Sequence, residues 1–111
     1  MKSYTDIEQS KKLAEILRLE SADMFHFIHE VDTVGFGYKK NAAEHYSKTE
    51  FEYIPCWSLA ALLNVLPSAT LDSSDDRHYR IHCMGRYSEW YGNAVDACYE
   101  TIVKLNELKM L

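Results

Sequence analysis

Histidine and cysteine are the residues of this 111-residue chain best suited to chemistry, and their spacings are unfavourable for it. His26-Phe27-Ile28-His29-Glu30 lacks the H-E-x-x-H order of zinc hydrolases. In a strand His26 and His29 point to opposite faces and cannot chelate together; in a helix they would share one. His78 and His82 share a strand face with Arg80 between them, and a cation there repels a metal ion. No metal site and no cofactor are therefore expected. Cys56, Cys83 and Cys98 contain no C-x-x-C pair and read as buried small hydrophobes in a reducing compartment, with no disulfide. Cys83 follows His82, but neighbours in a strand diverge. No G-x-S-x-G is present, and Gly35-Phe36-Gly37 lacks the third glycine of a dinucleotide loop and reads as a turn. No catalytic residue is assigned.

The unusual number is aromatic: 8 Tyr, 4 Phe and 2 Trp. Tyr79, Arg80, His82, Tyr87, Trp90 and Tyr91 gather on one expected hairpin and form the candidate binding set. Tyrosine and tryptophan suit contact surfaces because the ring packs while its polar tip stays wet. Filling a small core is their commoner use. Arg77, His78, Arg80, His82 and Arg86 add a local basic stripe, yet Asp72, Asp75 and Asp76 lie just upstream and the chain carries a net charge of −5. Nucleic-acid binding is disfavoured, because stacking does not replace phosphate neutralisation.

The elements that must position these groups begin with a helix from a Thr5-Asp6-Ile7-Glu8 capping box to Leu19 or Glu20. Met24 to His29 reads as a strand, Phe25 and Phe27 on one face and His26 and Ile28 on the other; a helix capped at Ser21 competes. Residues 32–50 read as a long loop with a helical turn around Ala42 to Tyr46, followed by a short strand, Phe51 to Ile54, ending at Pro55. Ser58 caps a helix stopped by Pro67, whose Leu59, Leu62, Leu63 and Leu66 form one apolar face, with Trp57 packing back on Leu62. Ser68 to Asp76 reads as a polar connection. Arg77 to Tyr91 reads as a hairpin around a type II′ turn at Gly85-Arg86, with Tyr87, Glu89 and Tyr91 on one side of the return strand. Asn93 caps a last helix from Ala94 to about Lys109, with Val95, Cys98, Tyr99, Ile102, Leu105 and Leu108 as its stripe. The expected architecture is a single α+β domain over residues 1–111, three helices packed on an antiparallel hairpin or short sheet.

Three stretches carry a resemblance: residues 5–13 (TDIEQSKKL), residues 53–67 (YIPCWSLAALLNVLP) and residues 90–98 (WYGNAVDAC), with Ser21-Ala22-Asp23-Met24 between. Together they resemble a group of small proteins of gut bacteria, phages and mobile elements to which no activity is assigned. That group often has proline where this chain has Ala94, a residue suited to a first helical turn. The resemblance implies an intracellular accessory protein and transfers no catalytic residue.

No apolar stretch reaches the ~18 residues of a membrane span, and the N-terminus lacks a signal peptide's apolar centre. A cytoplasmic, non-enzymatic protein-interaction module is the leading expectation, with a protein partner or a second copy as ligand. The contact is expected on the hairpin or on the last helix around Tyr99 and Val103. The runner-up is a small-ligand or enzymatic domain drawing on His26, His82 and Cys83.

Overall fold

The computed structural model describes residues 2–29, 31–36, 52–75 and 77–111. It is an α+β arrangement of three helices and two three-stranded antiparallel sheets, as the sequence pattern leads one to expect. Among the described residues no helix is long and apolar enough to cross a membrane.

Helix α1 spans Ile7–Ile16. Its cap is one residue later than the sequence suggests. Asp6 accepts from the Gln9 N–H at 2.8 Å, and the Gln9 side chain accepts from the Asp6 N–H at 3.2 Å. Thr5 is diverted because its hydroxyl accepts from the Trp57 N–H at 3.1 Å, a tertiary bond that outcompetes the local cap. The helix also stops short of Leu19. Leu17 is extended, and a single 3-10 turn, Leu19–Ser21, follows, where the Trp57 indole N–H donates to the Ser21 hydroxyl at 2.9 Å.

Strands β1 (Met24–His29), β2 (Val31–Phe36) and β3 (Glu52–Cys56) form the first sheet in the order β2-β1-β3. Strand β1 has the expected two faces: Met24 and His26 are buried, while Phe27 and Tyr53 pack ring to ring on the other side at 4.8 Å. Strand β2 replaces the first part of the expected loop. Its Val31, Thr33, Val34 and Phe36 are strand formers that pair along all of β1. Gly35 is a strand residue rather than a turn residue. It faces Phe25, and a Cβ there would fall 2.3 Å from the ring, so the missing side chain is what lets the ring lie across the strand. Residues 37–50, including the helical turn expected around Ala42 to Tyr46, lie outside the described residues, as do Phe51 and the His29 side chain. Pro55 does not end β3; it sits inside it opposite Phe25, on an edge strand where a lost N–H is tolerated. Beyond β3 the N-terminal segment pairs with the chain: the Thr5 N–H donates to the Trp57 carbonyl at 2.9 Å and the Leu59 N–H to that of Ser3 at 3.1 Å.

Helix α2 (Leu59–Val65) begins at the Ser58 cap, whose hydroxyl accepts from the Ala61 N–H and donates to Asp23. Leu62 and Leu66 are buried; Leu59 and Leu63 are half-buried against the same core. Strands β4 (Thr70–Ser73), β5 (Tyr79–Cys83) and β6 (Arg86–Tyr87) form the second sheet in that order. Strand β4 overturns the expected polar connection, because Leu71 opposes Ile81 and Asp72 opposes Arg80, one apolar and one ionic cross-strand pair. Helix α3 (Ala94–Glu107) is capped by Asn93 and ends before Leu108, which is left exposed at the C-cap. Leu13, Trp57, Leu62, Ile81, Val95, Cys98, Ile102 and Leu105 join the second sheet and all three helices in one core, which Trp57 enters from just beyond β3.

Candidate functional site

The turn of the second sheet differs from the expected one and decides which side chains meet. Cys83 pairs with Arg86, so the two-residue loop is Met84-Gly85. Both have positive φ, 53° and 77°, the signature of a type I′ turn. The return strand then bulges. His82 pairs with Tyr87 and Tyr79 with Tyr91, leaving Ser88, Glu89 and Trp90 opposite only Arg80 and Ile81. Ser88 closes the gap: its N–H donates to the Ile81 carbonyl, and its hydroxyl accepts from the Ile81 N–H, both at 2.8 Å.

The extra residue inverts the alternation beyond it. Tyr87 lies on the outer face with Arg80 and His82, whereas Tyr91 joins Tyr79 on the inner face against the core. Simple alternation puts Tyr87 and Tyr91 together; the bulge separates them. Of the six candidate residues, Arg80, His82, Tyr87 and Trp90 converge, and Tyr79 and Tyr91 do not join them.

The outer face is a stack. The Arg80 guanidinium lies over Tyr87 at 4.3 Å and over Trp90 at 4.6 Å, and its Nε donates to the Asp72 carboxylate at 3.2 Å. His82 stacks on Tyr87 with ring centroids 4.3 Å apart and planes 14° from parallel. Tyr87 remains 59 % exposed and Trp90 44 %, with Met84 beside them at 46 %. Large rings fixed in place yet open to water can bind a surface without losing much side-chain freedom.

A second cluster, which the spacing of residues could not reveal, is buried. His26 is 1 % exposed. Its Nε2 faces the Thr5 carbonyl at 2.9 Å and its Nδ1 the Asp32 carboxylate at 3.1 Å. Neither acceptor carries a proton to give, so both ring nitrogens must donate and the ring is an imidazolium. Burial alone would lower its pKa. The Cys56 sulfur, the Thr5 carbonyl and Asp32 outweigh burial and raise it to about 9. The Thr5 carbonyl also accepts from the Cys56 thiol at 3.4 Å, and the Thr5 and Ser10 hydroxyls share a hydrogen bond of 2.8 Å. Cys56 has no exposed surface, so this cluster fastens the N-terminal segment to the first sheet and offers no nucleophile to a substrate.

The remaining candidates are dispersed. Cys83 is buried and donates to the Pro67 carbonyl at 3.2 Å, and burial raises its pKa. His82 lies on the opposite face of the same strand, and His78 is exposed before β5. Burial likewise pushes the Cys98 thiol up to about 12. No group of three or more His, Cys, Asp or Glu residues with metal-holding geometry occurs among the described residues. Comparison with family models, curated proteins and solved structures gives no significant match.

Proposed function

We propose that this chain is a non-enzymatic, cytoplasmic protein-interaction module that contacts its partner through the outer face of β5 and β6. The carrying observation is the Arg80 guanidinium held between Tyr87 and Trp90, with both rings exposed. Trp, Tyr and Arg are the residues that dominate binding energy at protein contacts. A polypeptide suits this face better than a nucleic acid, because Asp72 already pairs with Arg80 and offsets the charge that a phosphate would have to be drawn by.

The favoured partner is a second copy. Asp72 offsets Arg80 within the patch, so two copies can meet there without setting surplus local charge against itself, although each chain carries −5 overall. An accessory role of this kind also fits the resemblance to small proteins of gut bacteria and their phages.

Sedimentation equilibrium tests the reading. Wild type should dimerise with rising concentration, and Tyr87→Ala/Trp90→Ala should remain monomeric with an unchanged fold. A dimer that survives the double substitution would move the contact elsewhere, to the half-buried Tyr99 and Val103 of α3 in the first instance. A wild type that stays monomeric would sink the self-association reading.

A further inference from the structure

Arg80 and Asp72 face each other across β5 and β4 on the outer side of the second sheet, and each is only half used. The Arg80 Nε donates to Asp72 Oδ2 at 3.2 Å. Among the described residues neither the Arg80 Nη groups nor Asp72 Oδ1 has a further partner. The two side chains are 32 % and 37 % exposed, so water still screens the pair, and a lone pair of this kind contributes little. The guanidinium plane is nonetheless fixed, its central carbon 4.3 Å from the Tyr87 ring centre and 4.6 Å from that of Trp90. A fixed fork of N–H donors suits a carboxylate and loses little freedom on taking one. A carboxylate with one free oxygen stands beside it, so the surface carries both halves of the bond it lacks.

The register of the strands fixes how a second copy can supply the missing halves. Asp72 lies opposite Arg80, and Thr70 opposite His82. A two-fold axis parallel to these strands, above the line between them, sets β5 of one copy against β4 of the other at the same height. Arg80 then faces Asp72 of the second copy and His82 faces its Thr70, and the reverse holds, as an isologous contact requires. We propose, on the footing that the outer face is the contact, that two copies join through a ring of four charges, Asp72 and Arg80 of each, paired reciprocally across this axis. Strand β6 lies beyond β5, so Tyr87 and the neighbouring Trp90 flank the ring at each end and keep water from it, which strengthens every pair within.

Charge reversal in the full chain, read by sedimentation equilibrium, tests this register. Asp72→Lys gathers four cations at the axis and Arg80→Glu four anions, so each variant alone should self-associate about a hundredfold more weakly than wild type. An equimolar mixture restores both reciprocal pairs and should dimerise within about tenfold of wild type. Asp72→Asn keeps the shape and sets no like charges together; it should weaken the dimer about tenfold. Should a reversal fail to fold, Asp72→Asn decides alone. Undiminished self-association of any of these variants, or a mixture that stays monomeric while both reversals keep the wild-type amide spectrum, would overturn the proposal. If Tyr87→Ala/Trp90→Ala abolishes dimerisation in that case, the outer-face contact stands and only the register falls. A monomeric wild type removes both.

Discussion

The molecule holds two histidines against tyrosines in opposite ways. His26 meets the edge of Tyr4, with centroids 6.0 Å apart and planes at 69°, and both its nitrogens are committed to hydrogen bonds inside the protein. His82 lies flat on Tyr87, which is itself wide open to water. The first arrangement saturates the polar groups and leaves nothing to offer a partner. The second fixes ring faces while leaving their edges free. Chemically similar clusters therefore do different work: one joins the N-terminal segment to the sheet, the other presents a surface. The difference lies in burial and in where the hydrogen bonds end, not in residue type.

The largest expected effect lies in the core shared by the second sheet and the three helices. Leu62→Ala removes a wholly buried side chain and should destabilise the protein by about 2–5 kcal/mol in urea unfolding. Next, His26→Ala should cost about 3 kcal/mol, because the Thr5 carbonyl loses its strongest donor in a dry site. Its signature is local: amide exchange at Thr5 and Leu59, which pair the N-terminal segment to the chain, should quicken more than exchange in α3.

The same histidine gives a pH dependence with a definite sign. Its folded pKa of about 9 exceeds the ordinary 6.5, so its stabilisation is complete below pH 6.5 and is lost as pH rises through 9. The total is on the order of 3 kcal/mol, and His26→Ala should flatten the profile across this interval. The raised thiols of Cys83 and Cys98 also favour the protonated form, but their contribution falls away only above the ordinary thiol value of 9.0. Variant and wild type should thus converge in slope at higher pH. The smallest effect belongs to the outer face. Tyr87→Ala should change stability by no more than about 1 kcal/mol, since it removes exposed stacking on His82 and Arg80. A loss comparable to that of His26→Ala would show that the stack is structural and abolish the contrast.

Local signals made the helices legible. Ser58 with Pro67, and Asn93 with the Val95–Leu105 stripe, act within a few residues and were enough to locate α2 and α3. The two strands read as loops, β2 and β4, owe their existence to partners: Val34 to His26 across the sheet, Leu71 to Ile81. The capping shift from Thr5 to Asp6 has the same origin, since Trp57 lies 52 residues away along the chain. For the candidate site, alternation correctly grouped Arg80 with His82. It failed past Ser88, because a bulge adds one residue and the sequence carries no plain mark of it. The His26 cluster was hidden because its members come from the N-terminal segment and three strands.

The Met84-Gly85 loop bears on the order in which the chain assembles. It joins β5 to β6 across two residues, and β4 reaches β5 across a short turn, whereas β1 must find β3 across 22 intervening positions, 30–51. Short closures lose less chain entropy and form in roughly microseconds. The β4–β6 meander is therefore the part able to form early, and its outer stack of Arg80, His82 and Tyr87 is local to it. A nascent chain could display that surface before α3 has docked, so the availability of the stack during synthesis is a kinetic consequence of a two-residue turn.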